Sequence, residues 1–136
     1  MVFSIDLRGF GETSFRGNKQ RLMERNYVLY NLSLQLGRPI LGQRVDDIIL
    51  AANLLDQRKD VDSLHLVGKN EAGSIALHAA ALDDRFQSVT LIDSLKTWTK
   101  TEPITLGNVI PDALKKYDLQ DLAKRISPRK ILWNDK

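Results

Sequence analysis

The segment over residues 64–73 constrains the fold of this chain more than any other. It reads Leu-His-Leu-Val-Gly-Lys-Asn-Glu-Ala-Gly, so that an apolar run enters a short turn bracketed by Gly68 and Gly73. A run of small residues follows, over residues 74–82. This pattern predicts a strand that passes through a tight turn into a helix lying close to a sheet. Asn70 occupies the tip of the turn, and asparagine tolerates the positive φ of such a position better than most residues.

Strand and helix patterns alternate along the rest of the chain. Apolar runs predict strands over residues 2–7, 64–67, 86–92 and 130–133, and helical spacing predicts helices over residues 19–36, 41–57, 74–82, 111–117 and 119–125. This alternation is typical of α/β proteins. We expect one domain over residues 1–136, with a three-layer fold in which helices flank a short, mostly parallel sheet. Val89, Leu91 and Ile92 in the third strand predict burial on both faces of that sheet.

Composition excludes several classes of function. The net charge of +3 is small, and the cluster Arg58-Lys59 is flanked by Asp56 and Asp60, which favours a solvated face over a nucleic-acid partner. The chain has no cysteine and no H-x-x-x-H spacing, so we expect no disulfide, zinc site or cofactor. No apolar run reaches the roughly 18 residues that a membrane span needs. No signal peptide is visible, so we expect a soluble chain whose compartment stays open.

Several motifs together resemble a known superfamily. The segment Asp-Leu-Arg-Gly-Phe-Gly-Glu-Thr-Ser over residues 6–14 resembles the D-x-R-G-x-G-x-S loop after the fourth strand of α/β-hydrolases. Residues 68–73 resemble their nucleophile elbow, G-x-S-x-G or a looser variant of it. Residues 42–47 resemble the helix before the elbow strand, and residues 79–86 and 119–132 resemble later passages of the fold. The acetyl xylan esterase and dienelactone hydrolase-like branch of the esterases and lipases is the most similar.

The resemblance implies a set of site residues. The family nucleophile corresponds to Asn70, whose amide cannot serve in that role, and the backbone N–H of Glu71 corresponds to an oxyanion donor. The acid of the triad corresponds to Asp93 after the third predicted strand or to Asp135 after the fourth; either is otherwise a solvated turn residue. If the chain is active, the resemblance implies hydrolysis of a small acyl ester. The alternative is a non-catalytic fragment or pseudo-enzyme that binds a ligand or partner.

The chain also departs from the family pattern, because it covers only the central part of the fold. Counterparts of the first three family strands and of the catalytic histidine are absent, so the resemblance implies a truncated domain. In the family a further strand separates the counterparts of residues 2–7 and 64–67. Unpaired strand edges invite pairing with other chains. We therefore expect a homo-oligomer through these edges, or a first strand that slides across to pair with residues 64–67.

Other candidate side chains are weaker. Ser14 follows the glycine loop, Ser74 lies on the helix after the turn and Ser94 follows the third predicted strand, so none occupies the tip of the elbow. His65 is predicted to be packed or exposed at an edge within a strand, and His78 to be a surface or half-buried residue; neither lies where the family has its general base. Two tryptophans, Trp98 and Trp133, fit core packing better than an acyl pocket.

Two nucleotide-binding patterns are incomplete. Residues 68–74 have the glycine spacing of a Walker A loop, but Lys69 lies at the wrong position. Gly9 and Gly11 supply only the first two glycines of a Rossmann fingerprint, because Ser14 occupies the third. Nucleotide binding is therefore disfavoured.

Overall fold

A parallel sheet of three strands forms the centre of the computed structural model, which describes residues 1–14, 19–100 and 106–135. The strands are β1 (Leu64–Lys69), β2 (Phe86–Ile92) and β3 (Lys130–Asn134), and they lie in the order β1-β2-β3. The helices are α1 (Lys19–Gln35), α2 (Ile40–Asp56), α3 (Ala72–Leu82) and α4 (Leu119–Ile126). A helix follows each of the first two strands before the next strand begins, as parallel pairing requires. The expectation of an α/β protein with a short parallel sheet is confirmed.

The core lies between the sheet and the helices on one of its faces. Helix α3 packs against β1 and β2, α2 packs on α3, and α4 contacts both α3 and β3. Ile75 and Leu77 of α3 are fully buried, as are Val89 and Leu91 of β2. The alanines of α3 allow its axis to lie close to the strands, so the small-residue run following the turn has a packing reason.

The opposite face of the sheet is open in the described part of the chain. Side chains alternate across a strand, so residues 64, 66 and 68 face α3 while residues 65, 67 and 69 point away from it. Val67 is 65% exposed, and Leu132 of β3 is 44% exposed on the same face. The expectation that β2 is buried on both faces is wrong for the described residues, since Ile92 is only half-buried. Of the three expected layers, these residues supply the sheet and one helical layer.

Two of the predicted elements differ in the structure. Residues 2–7 form no strand, because they have no neighbouring strand to pair with and Val2 is 95% exposed. The expectation that they slide across to pair with β1 is therefore wrong. The helix predicted over residues 111–117 is only a 3₁₀ turn, Ala113–Lys115. Asp112 before it adopts a left-handed conformation with φ of 61°, which interrupts a right-handed helix. The other predicted helices and strands are confirmed to within two residues at each end.

Candidate functional site

The turn between β1 and α3 has the geometry that its glycine bracket predicts. Asn70 adopts φ of 50° at the tip and is exposed. Its backbone N–H donates to the carbonyl oxygen of Ile92 at 2.9 Å, which ties the turn to the end of β2. The N–H of Gly73 donates to the carbonyl oxygen of Asn70 at 3.1 Å and closes the turn. The carboxamide of Asn70 is therefore presented at the carboxyl edge of the sheet by a backbone fixed at both sides.

Both bracketing glycines lie where a side chain has no room. A Cβ on Gly68 would lie 2.8 Å from the carbonyl oxygen of Ala72 and from the Cα of Gly73. A Cβ on Gly73 would overlap the side chain of Ser94, which lies just beyond β2. The glycines thus permit the close approach of β1, α3 and the segment following β2, which is a packing reason independent of any chemistry.

The four predicted site residues follow strands that end at one edge of the sheet. Asp93 follows β2 and adopts φ of 49°, and its N–H donates to the carbonyl oxygen of Asn134 at 3.1 Å. Asp135 follows β3, and its carboxylate pairs with the ammonium group of Lys96. Glu71 lies at the start of α3, where the first N–H groups of a helix have no acceptor within it. The carboxyl ends of parallel strands are where α/β proteins bind ligands.

Arg44 is a buried cation beside this edge, and sequence reasoning missed it. It is only 4% exposed, and its Nε donates to the carbonyl oxygen of Arg8 at 3.0 Å. Its guanidinium carbon lies 4.3 Å from the centre of the Phe10 ring. Burial lowers the pKa of Arg44, and the nearby carboxylates of Glu71 and Asp47 oppose that shift. Arg44 therefore anchors the glycine loop of residues 8–11 to α2.

A signal for Arg44 was present in the sequence. Helical spacing places it on the apolar stripe of α2, between Leu41 and Ile48 and beside Val45. A cation on such a stripe is buried only when carbonyl or aromatic partners surround it. The loop that supplies these partners is also held by a hydrogen bond of its own. The N–H of Glu12 donates to the carboxylate of Asp6 at 2.9 Å.

Neither histidine of the chain lies at the carboxyl edge. His65 lies at the start of β1 on the open face, where its ring nitrogens contact the hydroxyl groups of Ser88 at 2.8 Å and Ser63 at 3.1 Å. His78 lies in the middle of α3 and is only 6% exposed, so the expectation of a surface or half-buried residue is wrong. Its ring lies beside the segment that ends at Tyr117 and contacts the hydroxyl group of that residue.

The hydroxyl groups of the three candidate serines bond to groups other than histidine. Ser74 is buried, and its hydroxyl lies 3.3 Å from the carbonyl oxygen of Glu71 and 3.4 Å from the side chain of Asn108. Ser94 donates to the carbonyl oxygen of Ile92 at 3.0 Å. Ser14 donates to the carbonyl oxygen of Gly11 at 2.6 Å. These contacts satisfy the hydrogen-bonding capacity of the three hydroxyl groups. None of them is a bond to a general base, so none activates a serine.

A cleft opens on the helical side of the molecule, away from the elbow. Its volume is about 510 Å³, and it lies among α2, α3, α4 and residues 110–117. His78 and Tyr117 line it, and both rings contact Trp98, with ring centres 5.7 Å away in each case. Trp98 is buried and donates from its indole to the carbonyl oxygen of Asn108 at 2.9 Å. The core role expected for Trp98 is confirmed.

The described residues hold no group of three or more carboxylate, imidazole or thiol side chains placed to bind a metal ion. Within the same ranges, no helix combines the length and the hydrophobicity needed to cross a bilayer. Comparison of the chain with protein-family models, with curated proteins and with solved structures gives no match. The resemblance to α/β-hydrolases therefore rests on the motifs and their order alone.

Proposed function

We propose that this chain is a non-catalytic, α/β-hydrolase-like module that binds a ligand or partner. The observation that carries the proposal is the chemistry at the tip of the turn. Asn70 is held there with φ of 50°, and a carboxamide is not a nucleophile for acyl transfer. A general base must lie within hydrogen-bond reach of the group that it activates. His65 and His78 both bond to partners other than Asn70, which supports the non-catalytic part of the proposal.

The second candidate is hydrolysis of a small acyl ester, as in the esterases and lipases. The retained turn favours it, since the N–H of Glu71 and the start of α3 lie beside the tip. This candidate needs Asp93 or Asp135 as the acid, together with a nucleophile and a base from groups other than Asn70. It ranks second because the hydroxyl groups of Ser74 and Ser94 bond to other groups than histidine.

Ester hydrolysis and active-site labelling separate the two candidates. The purified chain is assayed on p-nitrophenyl acetate and butyrate and treated with a fluorophosphonate, beside Asn70→Ser and Asn70→Gly variants. Asn70→Gly is the matched control, because glycine adopts the positive φ of the tip without a hydroxyl group. We expect the parent and the glycine variant to show only the buffer rate and no labelling. Turnover by the parent that the fluorophosphonate abolishes would overturn the proposal.

We also propose that two copies of the chain associate through the open edge of β1. That strand pairs with β2 on one side, and no described residue pairs with its other side. Unpaired N–H and C=O groups along an edge favour the addition of another strand. Val67, exposed on the open face of this strand, would add apolar contact to such a pair.

A further inference from the structure

The cleft on the helical side has the size and walls of a small-molecule site. Its volume of about 510 Å³ lies within the range of about 300–1,000 Å³ that is usual for ligand pockets. Its walls are mainly apolar, with contributions from Leu41 and Val45 of α2, Ala81 of α3 and Leu122 of α4. An apolar body is therefore the part of a ligand that these walls would bind.

His78 and Tyr117 form a hydrogen-bonded polar pair in the lining of the cleft, which also includes the polar residues Arg38, Gln43, Asp46 and Arg125. Nδ1 of His78 lies 2.6 Å from the carbonyl oxygen of Ser74, and a carbonyl only accepts, so Nδ1 carries the ring proton. Burial lowers the pKa of His78, which keeps the ring neutral at pH 7 and leaves Nε2 without a proton. Nε2 lies 3.0 Å from the hydroxyl of Tyr117. The hydroxyl therefore donates its one proton to Nε2.

The direction of this bond determines what the cleft can recognise. Because its proton is committed to His78, the phenolic oxygen of Tyr117 offers only lone pairs to a bound molecule. A hydroxyl on the ligand would satisfy these lone pairs, whereas an ether or a carboxylate would not. Tyr117 is half-buried and lines the cleft, so its oxygen is an acceptor placed among apolar walls.

We propose that this cleft binds a small apolar alcohol whose hydroxyl group donates to the oxygen of Tyr117. The inference rests on the proposed binding function and names its ligand class. The rim cation Arg125 makes no ion pair in the described part of the chain, so an anionic amphiphile is the rival ligand. The hydrogen-bond polarity of Tyr117 favours the alcohol over that rival.

Three probes of similar length test the ligand class: 1-octanol, 1-methoxyheptane and octanoate. Binding is followed by the fluorescence of Trp98, which contacts both rings, in a Trp133→Phe background that removes the other tryptophan. We expect 1-octanol to bind about fivefold more tightly than 1-methoxyheptane, as one added hydrogen bond predicts. Equal affinity for the two overturns the inference, as does tighter binding of octanoate or no binding of any probe.

A matched pair of variants tests the location of the site. Ala81→Leu adds bulk to the wall of the cleft, whereas Ala51→Leu adds the same bulk to α2 at a position that does not line it. We expect at least a tenfold loss of 1-octanol affinity in the first variant and no change in the second. Equal effects would place binding elsewhere and overturn the inference. None of the probes is an ester, so these results are independent of hydrolysis or labelling at the elbow, which would overturn only the non-catalytic proposal.

Discussion

Single residues at the elbow have structural roles that account for the turn. These roles hold although the residue at its tip cannot act as a nucleophile. Gly68 and Gly73 are required by close packing of backbone and side chains, and Asn70 is suited to its positive φ. Each therefore has a structural reason that does not depend on catalysis. Arg44 also has a structural role, because it joins the glycine loop to α2 through the carbonyl oxygen of Arg8 and donates to that of Gly107 as well. Stability alone can account for the residues that most resemble an esterase site.

Alanine substitution of two helical glycines tests this explanation. Gly73→Ala places a Cβ against Ser94, so we expect it to lower the free energy of unfolding by about 1–3 kcal/mol. Gly42→Ala in α2 meets no atom within 4 Å, so we expect it to raise that free energy by about 0.5–1 kcal/mol. Urea unfolding followed by circular dichroism measures both. A neutral Gly73→Ala would contradict the packing argument.

The elements of this fold were predictable where local pattern and tertiary partner agree. Helix α2 and strand β2 follow directly from their apolar spacing, and the elbow follows from its two glycines. Residues 2–7 have an equally strand-like composition, but a strand also needs a neighbour, and local sequence does not reveal that. The candidate sites likewise include parts that could be predicted from the sequence and parts that could not. The strand ends that carry Asn70, Asp93 and Asp135 were predictable from topology, whereas the cleft beside His78 depends on how α2, α3 and α4 meet.

Helix α4 has an N-terminal cap that also joins it to a preceding loop. Asp118 accepts from the N–H of Leu119 at 2.7 Å and from the N–H of Trp98 at 2.9 Å. We expect Asp118→Ala to lower the free energy of unfolding by about 1–2 kcal/mol, since both contacts are lost. Asp118→Asn keeps an acceptor oxygen and is expected to lose less than half as much. Gln120→Ala, exposed on the same helix, is the control, and an equal loss there would contradict the capping role.

The same cap has a defined pH dependence. Partial burial by itself would raise the pKa of Asp118, but hydrogen bonds from Thr97, Trp98 and Leu119 outweigh it and hold the pKa below its ordinary value. A carboxyl group with a depressed pKa in the folded state stabilises the fold above its unfolded pKa of about 3.9. That contribution is lost as the pH falls through the lower, folded pKa. The stability difference between the parent and Asp118→Ala should therefore be constant from about pH 7 to pH 5 and shrink below about pH 4.

At the scale of the whole molecule, the sheet is covered by helices on one face and open on the other in the described residues. Its open face presents Val67 and Leu132, and no strand of the described ranges pairs with the outer edge of β1. An arrangement of this kind leaves both apolar surface and backbone groups exposed to solvent. Association through the edge of β1 would reduce both exposures at once.

A two-fold pair would place the β1 strands of two copies antiparallel, and an axis near the middle of the strand would bring each Val67 close to its counterpart. Val67→Lys introduces like charges at that contact and should shift the chain from dimer towards monomer by about tenfold or more in dissociation constant. Leu54→Lys is the matched control, because Leu54 is 64% exposed on α2, away from the edge. Small-angle scattering and sedimentation over a concentration series measure the shift. A monomeric parent at all concentrations, or an equal effect of the two substitutions, would show that the edge of β1 is not the interface.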